Sequence, residues 1–411
     1  MITEHRDLRT GLTYWQARGP LSLPVRPLAR DISTDILVVG AGITGAIIAE
    51  LLSEKYRVAL VDRRGPAAGS TAASTALVEY EIDVPLIHLA DQIGSGRAAR
   101  VWSRSYEAVR ALLERTRMLG IDCDIAERES LYLSGDVLDA DELGAETELR
   151  ARLGFDVEFL DGDALRQSYA IHREAAIRAV GDFTVDPRRM AAGFLGAAIK
   201  RGAAIYAPTD IADIERDGSG IAAITVEGPV IRARAVVLAT GYELPKCVPR
   251  AGHQVVSTYA VATVPQPEAL WRNEALIWEA CDPYLYIRTT PDRRVICGGE
   301  DEEFADEAAR DALIPAKAKT IAGKLKRLMP HLDVRLDFAW AGAFGASDTG
   351  LPSIGEVPGL TGCWSVVGFG GNGMTYSRIA AEIIAAALAG REDSDAALFA
   401  FKGVGAAVAA E

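Results

Sequence analysis

Gly40-Ala41-Gly42-Ile43-Thr44-Gly45, followed by Asp62, is the set of residues in this chain whose spacing most plainly serves chemistry. Gly40 permits a tight turn out of a strand. Gly42 leaves backbone free to approach a pyrophosphate, and Gly45 lets the next helix pack close to that strand. Ile43 and Thr44 open the helix, whose free N–H groups and positive dipole end suit phosphate. Asp62 lies about 20 residues on, where a carboxylate can accept from ribose hydroxyls. Together these residues point to dinucleotide binding. The run after it, from Arg63 through Ser70, Thr71, Ser74 and Thr75 to Ala76, is small and hydroxyl-rich. It is either a solvated loop or a second cradle of N–H and hydroxyl groups for a pyrophosphate or polyol chain. Its place, directly after the ribose acid, favours the cradle.

Such a second loop is dispensable for NAD and common for FAD. A flavin would also explain the far end of the chain. There Gly368-Phe369-Gly370-Gly371-Asn372-Gly373-Met374-Thr375 opens another helix. Its N–H groups and dipole suit the negative pyrimidine side of a reduced flavin. Between these stretches, Tyr284, Tyr286 and Arg288 fall on one face of a period-two run. A solvent face would carry more Lys and Glu, so this face reads as the roof of a pocket. His88, His172, His253 and His331 are too scattered for a triad or a metal site, and no metal is expected.

The elements that position these residues follow from periodicity. Asp35–Val39, Arg57–Val61 and Ala235–Ala239 read as buried parallel strands, the last running into Thr240-Gly241. Residues 86 to about 120 read as one helix, Asp139–Leu153 as an acidic exposed helix and Gly181–Pro187 as irregular. Residues 257–338 alternate like an antiparallel sheet, closed by a helix over Ala308–Leu328. Residues 1–34 read as an extended arm anchored by Tyr14 and Trp15.

The 411 residues suit two domains rather than one core. A net charge of −13 argues against nucleic acid and anionic membrane as partners. Five scattered cysteines without a Cys-x-x-Cys motif read as free thiols in a reducing compartment. No apolar run is long enough to span a bilayer. A cytoplasmic location is expected.

The chain resembles the D-amino-acid-oxidase/glycine-oxidase superfamily of FAD-dependent oxidoreductases. The resemblance rests on Gly40 to Gly45 with Asp62, Val236-Val-Leu-Ala-Thr240-Gly241, Asp348 to Gly355, and Gly368 to Met374. Tyr14-Trp15 and the hairpin Tyr286, Arg288, Gly298 to Asp301 are similar to the γ-glutamylputrescine-oxidase-like group. The resemblance implies an α/β FAD-binding Rossmann-type (glutathione-reductase-like) domain plus an α+β substrate domain with an antiparallel sheet. The FAD domain would be discontinuous, from 35–85, 165–250 and 336–411, behind an arm of 1–34. The substrate domain would come from 86–164 and 251–335. FAD would lie extended, its adenine near Asp62, Arg63 and Ile211 and its isoalloxazine near Gly342 and Gly370 to Met374.

The implied chemistry is oxidation of a C–N bond of an amine or amino-acid-derived substrate to an imine, with a hydride equivalent passing to flavin N5. O2 or another acceptor would then take the electrons. No side-chain acid or base is required, so no catalytic residue is named. An FAD-dependent 2-hydroxy-acid dehydrogenase and a non-catalytic flavoprotein subunit are the alternatives. Covalent relatives carry a cysteine ahead of the stretch matching Asp348 to Gly355. Here that stretch is Gly342-Ala343-Phe344-Gly345, so FAD is expected to be non-covalent. Relatives acting on α-amino acids place an arginine where Phe344 stands. A pocket of Tyr80, Tyr259, Tyr286 and Phe344 is therefore expected to hold an amine, with Arg288 the alternative carboxylate clamp.

Overall fold

The computed structural model describes residues 1–249 and 252–401. Nine strands form one sheet, centred on the parallel run Val230–Leu238, Ile32–Val39, Val58–Val61, Ala204–Tyr206 and Val25–Arg26. Ile36, Leu37, Val38, Leu60, Val61, Val236 and Val237 have essentially no exposed surface. Such unbroken apolar strands are stable only when both faces are covered. The helices Ile43–Leu52, Pro187–Lys200 and Gly373–Leu388 pack together over one face. Val39 pairs with both Leu238 and Val61. Gly40, Asp62 and Ala239 therefore leave the sheet side by side at the carboxyl ends of its strands, where parallel sheets bind ligands.

The second sheet has ten strands and is antiparallel except for the pairing of Leu276–Glu279 with Ala126–Leu133. His253–Thr263, Val295–Glu302, Leu285–Thr289 and Leu336–Ser347 form its centre. The helix Glu307–Leu328 packs on one face, burying Tyr259, Leu285 and Ile287 with Ile321 and Leu325. Period two then turns Thr258, Tyr284 and Tyr286 to the opposite face.

Several sequence expectations change. The strand Ala175–Thr184 and the strand Leu336–Ser347 pair in the ten-stranded sheet, not in the sheet of the dinucleotide turn. The first was hidden because Gly181 and Asp182 interrupt its alternation, which is why 181–187 read as irregular. The helix over 86–120 is two helices, Leu86–Ile93 and Ser95–Met118, parted at Gly94 with φ +89°. The helix Ala140–Arg152 is not an exposed one: Leu143, Glu146, Thr147 and Arg150 are buried. Its charges satisfy each other, since Arg150 Nε donates to Glu146 at 2.8 Å. The expected boundary at 250/251 and residues 402–411 lie outside the described residues.

Parts of residues 1–34 join the sheets, Val25–Arg26 and Ile32 onward in the nine-stranded one. Tyr14 and Trp15 are buried, and Arg9–Thr10 pairs with Leu336–Ser347. No described helix is long and apolar enough to cross a membrane. All five cysteines are free thiols.

Candidate active-site cleft

A long cleft runs between the two sheets, with about 1830 Å³ of empty volume including its mouth. At one end lie Asp62, Arg63, Arg64, Asp210, Ile211 and Glu243. Asp62 ties three backbone segments together. Its Oδ2 accepts from Ala41 N at 2.8 Å, and its Oδ1 from Arg64 N and Gly65 N at 2.7 Å each. Burial pushes its carboxyl up, against these three donors that hold it down. Arg64 is paired with Glu243 at 2.6 Å, and Arg63 lies 3.4 Å from Asp210 and 3.5 Å from Glu243.

The middle is formed by Gly40, Gly42, Ile43 and Thr44, facing Ser70 and Thr71. Gly40 has φ +112°, and a Cβ there would lie 2.2 Å from Ala239 O. A Cβ on Gly42 would meet only Thr71 Oγ1, at 3.2 Å. Thr71 Oγ1 accepts from Ile43 N at 3.0 Å, docking the hydroxyl-rich loop on the helix start. Three buried side chains fix the rest of that loop. Trp15 Nε1 donates to Ser74 O at 2.6 Å and Trp340 Nε1 to Ala73 O at 2.9 Å. Arg288 donates to Ala76 O at 2.7 Å and Thr75 O at 3.2 Å.

The far end is walled by Ser74, Thr75, Thr240, Gly241, Gly342, Phe344 and Gly370 to Met374, with Tyr242, Thr258, Trp278, Tyr284 and Tyr286 opposite. Three acids also line it: Glu79, Glu81 and Asp83. Thr375 Oγ1 and Asn372 Nδ2 donate to Glu79 O, and Asn372 Nδ2 to Glu81 O at 2.8 Å. Gly371 N donates to Asp83 Oδ2 at 2.7 Å. The 79–83 segment is thereby stapled to the start of the helix Gly373–Leu388. Among the described residues lining the cleft, the only cations are Arg63 and Arg64, at the opposite end, and none is a cysteine or histidine.

The FAD dependent oxidoreductase family model, DAO, matches residues 35–387. This chain belongs to that family. The FAD-dependent oxidoreductase is 27% identical over 377 residues to a glycine oxidase of Geobacillus kaustophilus, covering 85% of this chain and 92% of that one. It is 25% identical over 403 residues to the γ-glutamylputrescine oxidoreductase of Escherichia coli, covering 95% and 90%. Its fold matches the crystal structure of the Geobacillus glycine oxidase with a TM-score of 0.74 at 23% identity, covering 91% of this chain and 100% of that one. It matches L-proline dehydrogenase from P. horikoshii at 0.73 and 17%, covering 92% and 97%.

The residues present fit FAD. Two helix starts, at Ile43 and Gly373, open on the cleft, and neither N-cap side chain caps its helix. Ser70 Oγ and one Arg63 guanidinium nitrogen are buried in the lining without a hydrogen-bond partner. Such orphans are rare unless a ligand completes them.

Most sequence-derived site residues of this FAD-dependent oxidoreductase line the cleft, and four do not. Gly45 sits inside the helix, where a Cβ would lie 1.9 Å from Gly40 O; its role is packing. Tyr80 points the other way, stacked on Phe155 at 5.3 Å and edge-on to Trp102 and Tyr106. Tyr259 faces the helix Glu307–Leu328, with Lys317 5.5 Å from its ring centre. Arg288 is 1% exposed and bonds to the carbonyls of Thr75, Ala76, Val185 and Thr289. It is a brace beneath the loop, not a clamp in the cleft.

The sequence reading missed Glu79, Glu81 and Asp83. Their signal was present: in Glu79-Tyr80-Glu81-Ile82-Asp83 the acids alternate with core residues, as on a strand with one wet face.

Proposed function

We propose that this FAD-dependent oxidoreductase oxidises a C–N bond of an amine or amino-acid-derived substrate to an imine, using FAD held without a covalent bond. One observation carries the reading: the substrate end of the cleft is walled by aromatic rings and carboxyls, with no cation among the described residues lining it. An ammonium is attracted by tyrosine faces and by carboxylates. A carboxylate-bearing 2-hydroxy acid would need a cation there, so this alternative is disfavoured. Bound FAD would supply the two-electron acceptor; O2 or another oxidant would then reoxidise it.

The chain's own residues would hold and orient. Gly42, Ile43, Ser70 and Thr71 suit the diphosphate, Asp62 and Ile211 the adenosine end. Gly342, Gly371 to Met374 and the Ser74–Thr75 backbone suit the isoalloxazine. Tyr242, Tyr286 and Phe344 would orient the substrate body and exclude water. The absence of an arginine among them argues against a small α-amino acid held by its carboxylate. With Arg288 turned away, the loss is worth roughly tenfold to a few hundredfold in kcat/KM for such substrates.

The test is anaerobic flavin bleaching across glycine, sarcosine, D-proline, alkyl and benzylic amines, and 2-hydroxy acids, with ammonia or amine release measured on turnover. Amines should bleach the flavin and outperform glycine. Bleaching by hydroxy acids alone overturns the reading, and no bleaching by any compound points to a non-catalytic flavoprotein.

A further inference from the structure

Of the three acids at the substrate end, one already has a protein cation beside it, shared with Glu146. Glu81 accepts from Ser130 Oγ at 3.0 Å and lies 3.3 Å from Arg150, whose guanidinium is buried over Trp102 at 4.4 Å. Glu79 and Asp83 have no such partner. Glu79 Oε1 is closed off from solvent and accepts from no donor. Asp83 opens on the cleft and accepts from the Gly371 N–H at 2.7 Å. A third acceptor stands beside them: Asn372, 7% exposed, spends its amide hydrogens on the carbonyls of Glu79 and Glu81, leaving Oδ1 without a donor. Behind the tyrosines, Tyr284 donates to Asp301 at 3.2 Å, adding another acid.

This end of the cleft therefore offers acceptors and negative charge, and among the described residues lining it there is no cation to match them. Glu79 is part-buried and Asp83 faces the open cleft, and carboxylates crowded together in such a recess favour a cation or a proton between them. Burial, with Glu81 and Asp83 nearby, holds the Glu79 carboxyl well above the usual range, and burial lifts Asp83 to about 6.

We propose that the substrate of this site is a dication, an α,ω-diamine or polyamine, whose second, non-reacting ammonium is received by Glu79 and Asp83. The proposal rests on the amine reading above and deepens it. The non-reacting ammonium stays paired with both carboxyls while the other amine releases its proton to solvent and is oxidised, a hydride equivalent passing to FAD. The tyrosines and Trp278 cover the methylene chain between them. A monoamine leaves both carboxyls unmatched, and an ω-amino acid of similar length sets its carboxylate against them.

The experiment uses the FAD-loaded enzyme and anaerobic difference spectra of its flavin. Three probes of similar length are titrated: 1,5-diaminopentane, n-hexylamine and 5-aminopentanoate. The diamine should bind roughly tenfold to a hundredfold more tightly than either, the range expected for one charge-assisted contact. Glu79→Gln and Asp83→Asn keep the side-chain shapes and should each collapse the diamine-to-hexylamine ratio toward one. Flavin content and thermal midpoint of both variants report folding. Equal affinity for all three probes in the unaltered enzyme overturns the proposal. So does a Glu79→Gln enzyme that loses FAD while its ratio is unchanged, since Glu79 would then serve the cofactor. Bleaching by hexylamine without diamine preference sinks the dication site and leaves amine oxidation standing. Tight diamine binding without bleaching by any amine does the reverse.

Discussion

Gly42 and Gly45 are three residues apart and fail for different reasons when given a side chain. At Gly42 a Cβ meets only Thr71 Oγ1 at 3.2 Å, so the remaining atoms of a valine project into the cleft. Gly42→Val should fold yet purify without yellow colour, checked by absorbance and by circular dichroism. At Gly45 a Cβ would lie 1.9 Å from a backbone oxygen. Gly45→Ala should instead lower the thermal midpoint or abolish soluble protein. Asp83 carries a pH prediction. Burial and Asp301 raise its carboxyl to about 6, against the Gly371 N–H. The other charges around this space are Glu79, Glu81 with Arg150 and its second partner Glu146, the buried Asp182 behind Glu79 and Glu81, and Asp301 with Lys317 behind it. Below that pH Asp83 is neutral and cannot pair an ammonium. Diamine affinity should therefore fall from pH 7 to pH 5, more than n-hexylamine affinity, and Asp83→Asn should flatten the difference. The glycine turn was legible in sequence because its spacing is local. The acids were not, because which face of an extended segment is wet depends on what packs against it.

At the scale of elements, the hydroxyl-rich loop is held by side chains from three places: Trp15 from the arm, Arg288 from the strand Leu285–Thr289, and Trp340 from the strand Leu336–Ser347. The arm is therefore part of the site's scaffold. Trp15→Phe keeps the buried ring and deletes one hydrogen bond, at a cost of about 1 kcal/mol. It should weaken FAD retention on dialysis more than it lowers the urea midpoint. Arg288→Met is harsher. It leaves the carbonyls of Ala76 and Val185, bonded at 2.7 and 2.8 Å, buried without donors. The expected loss is about 3 kcal/mol or more in urea unfolding, with no selective change toward carboxylate substrates. A selective loss of amino-acid turnover at unchanged stability would restore Arg288 as a clamp. Sequence alternation did place Tyr284, Tyr286 and Arg288 on one face. It could not show that the loop lies over the arginine and leaves only the tyrosines in the cleft.

The whole molecule was legible in sequence where its signals are local and repeated: buried strands, glycine turns and the order of motifs along the chain. It was less so where partners are distant. The strand Ala175–Thr184 reads as strand once Ala126–Leu133 and Leu77–Val78 lie on either side of it. Tyr259 falls on the helix side of its strand while Thr258 falls on the cleft side, a choice of one residue in register. The same long-range view sharpens the attachment of the cofactor. From sequence, the lack of a cysteine near Gly342 to Gly345 spoke only for that position. In the fold, Cys123, Cys297 and Cys363 are buried in the core, and neither they nor Cys247 or Cys281 line the cleft. No histidine lines it either. Burial also holds the Cys297 and Cys363 thiols well above their usual range, away from the thiolate that attack on a flavin requires. On the proposed non-covalent reading, retention would rest on the helix starts, the Asp62 turn and the braced loop. Acid or heat denaturation should release all flavin absorbance into the supernatant, and FAD added to the refolded chain should restore it. Yellow colour in the washed pellet, migrating with the 43.8 kDa chain on a denaturing gel, would show a covalent bond.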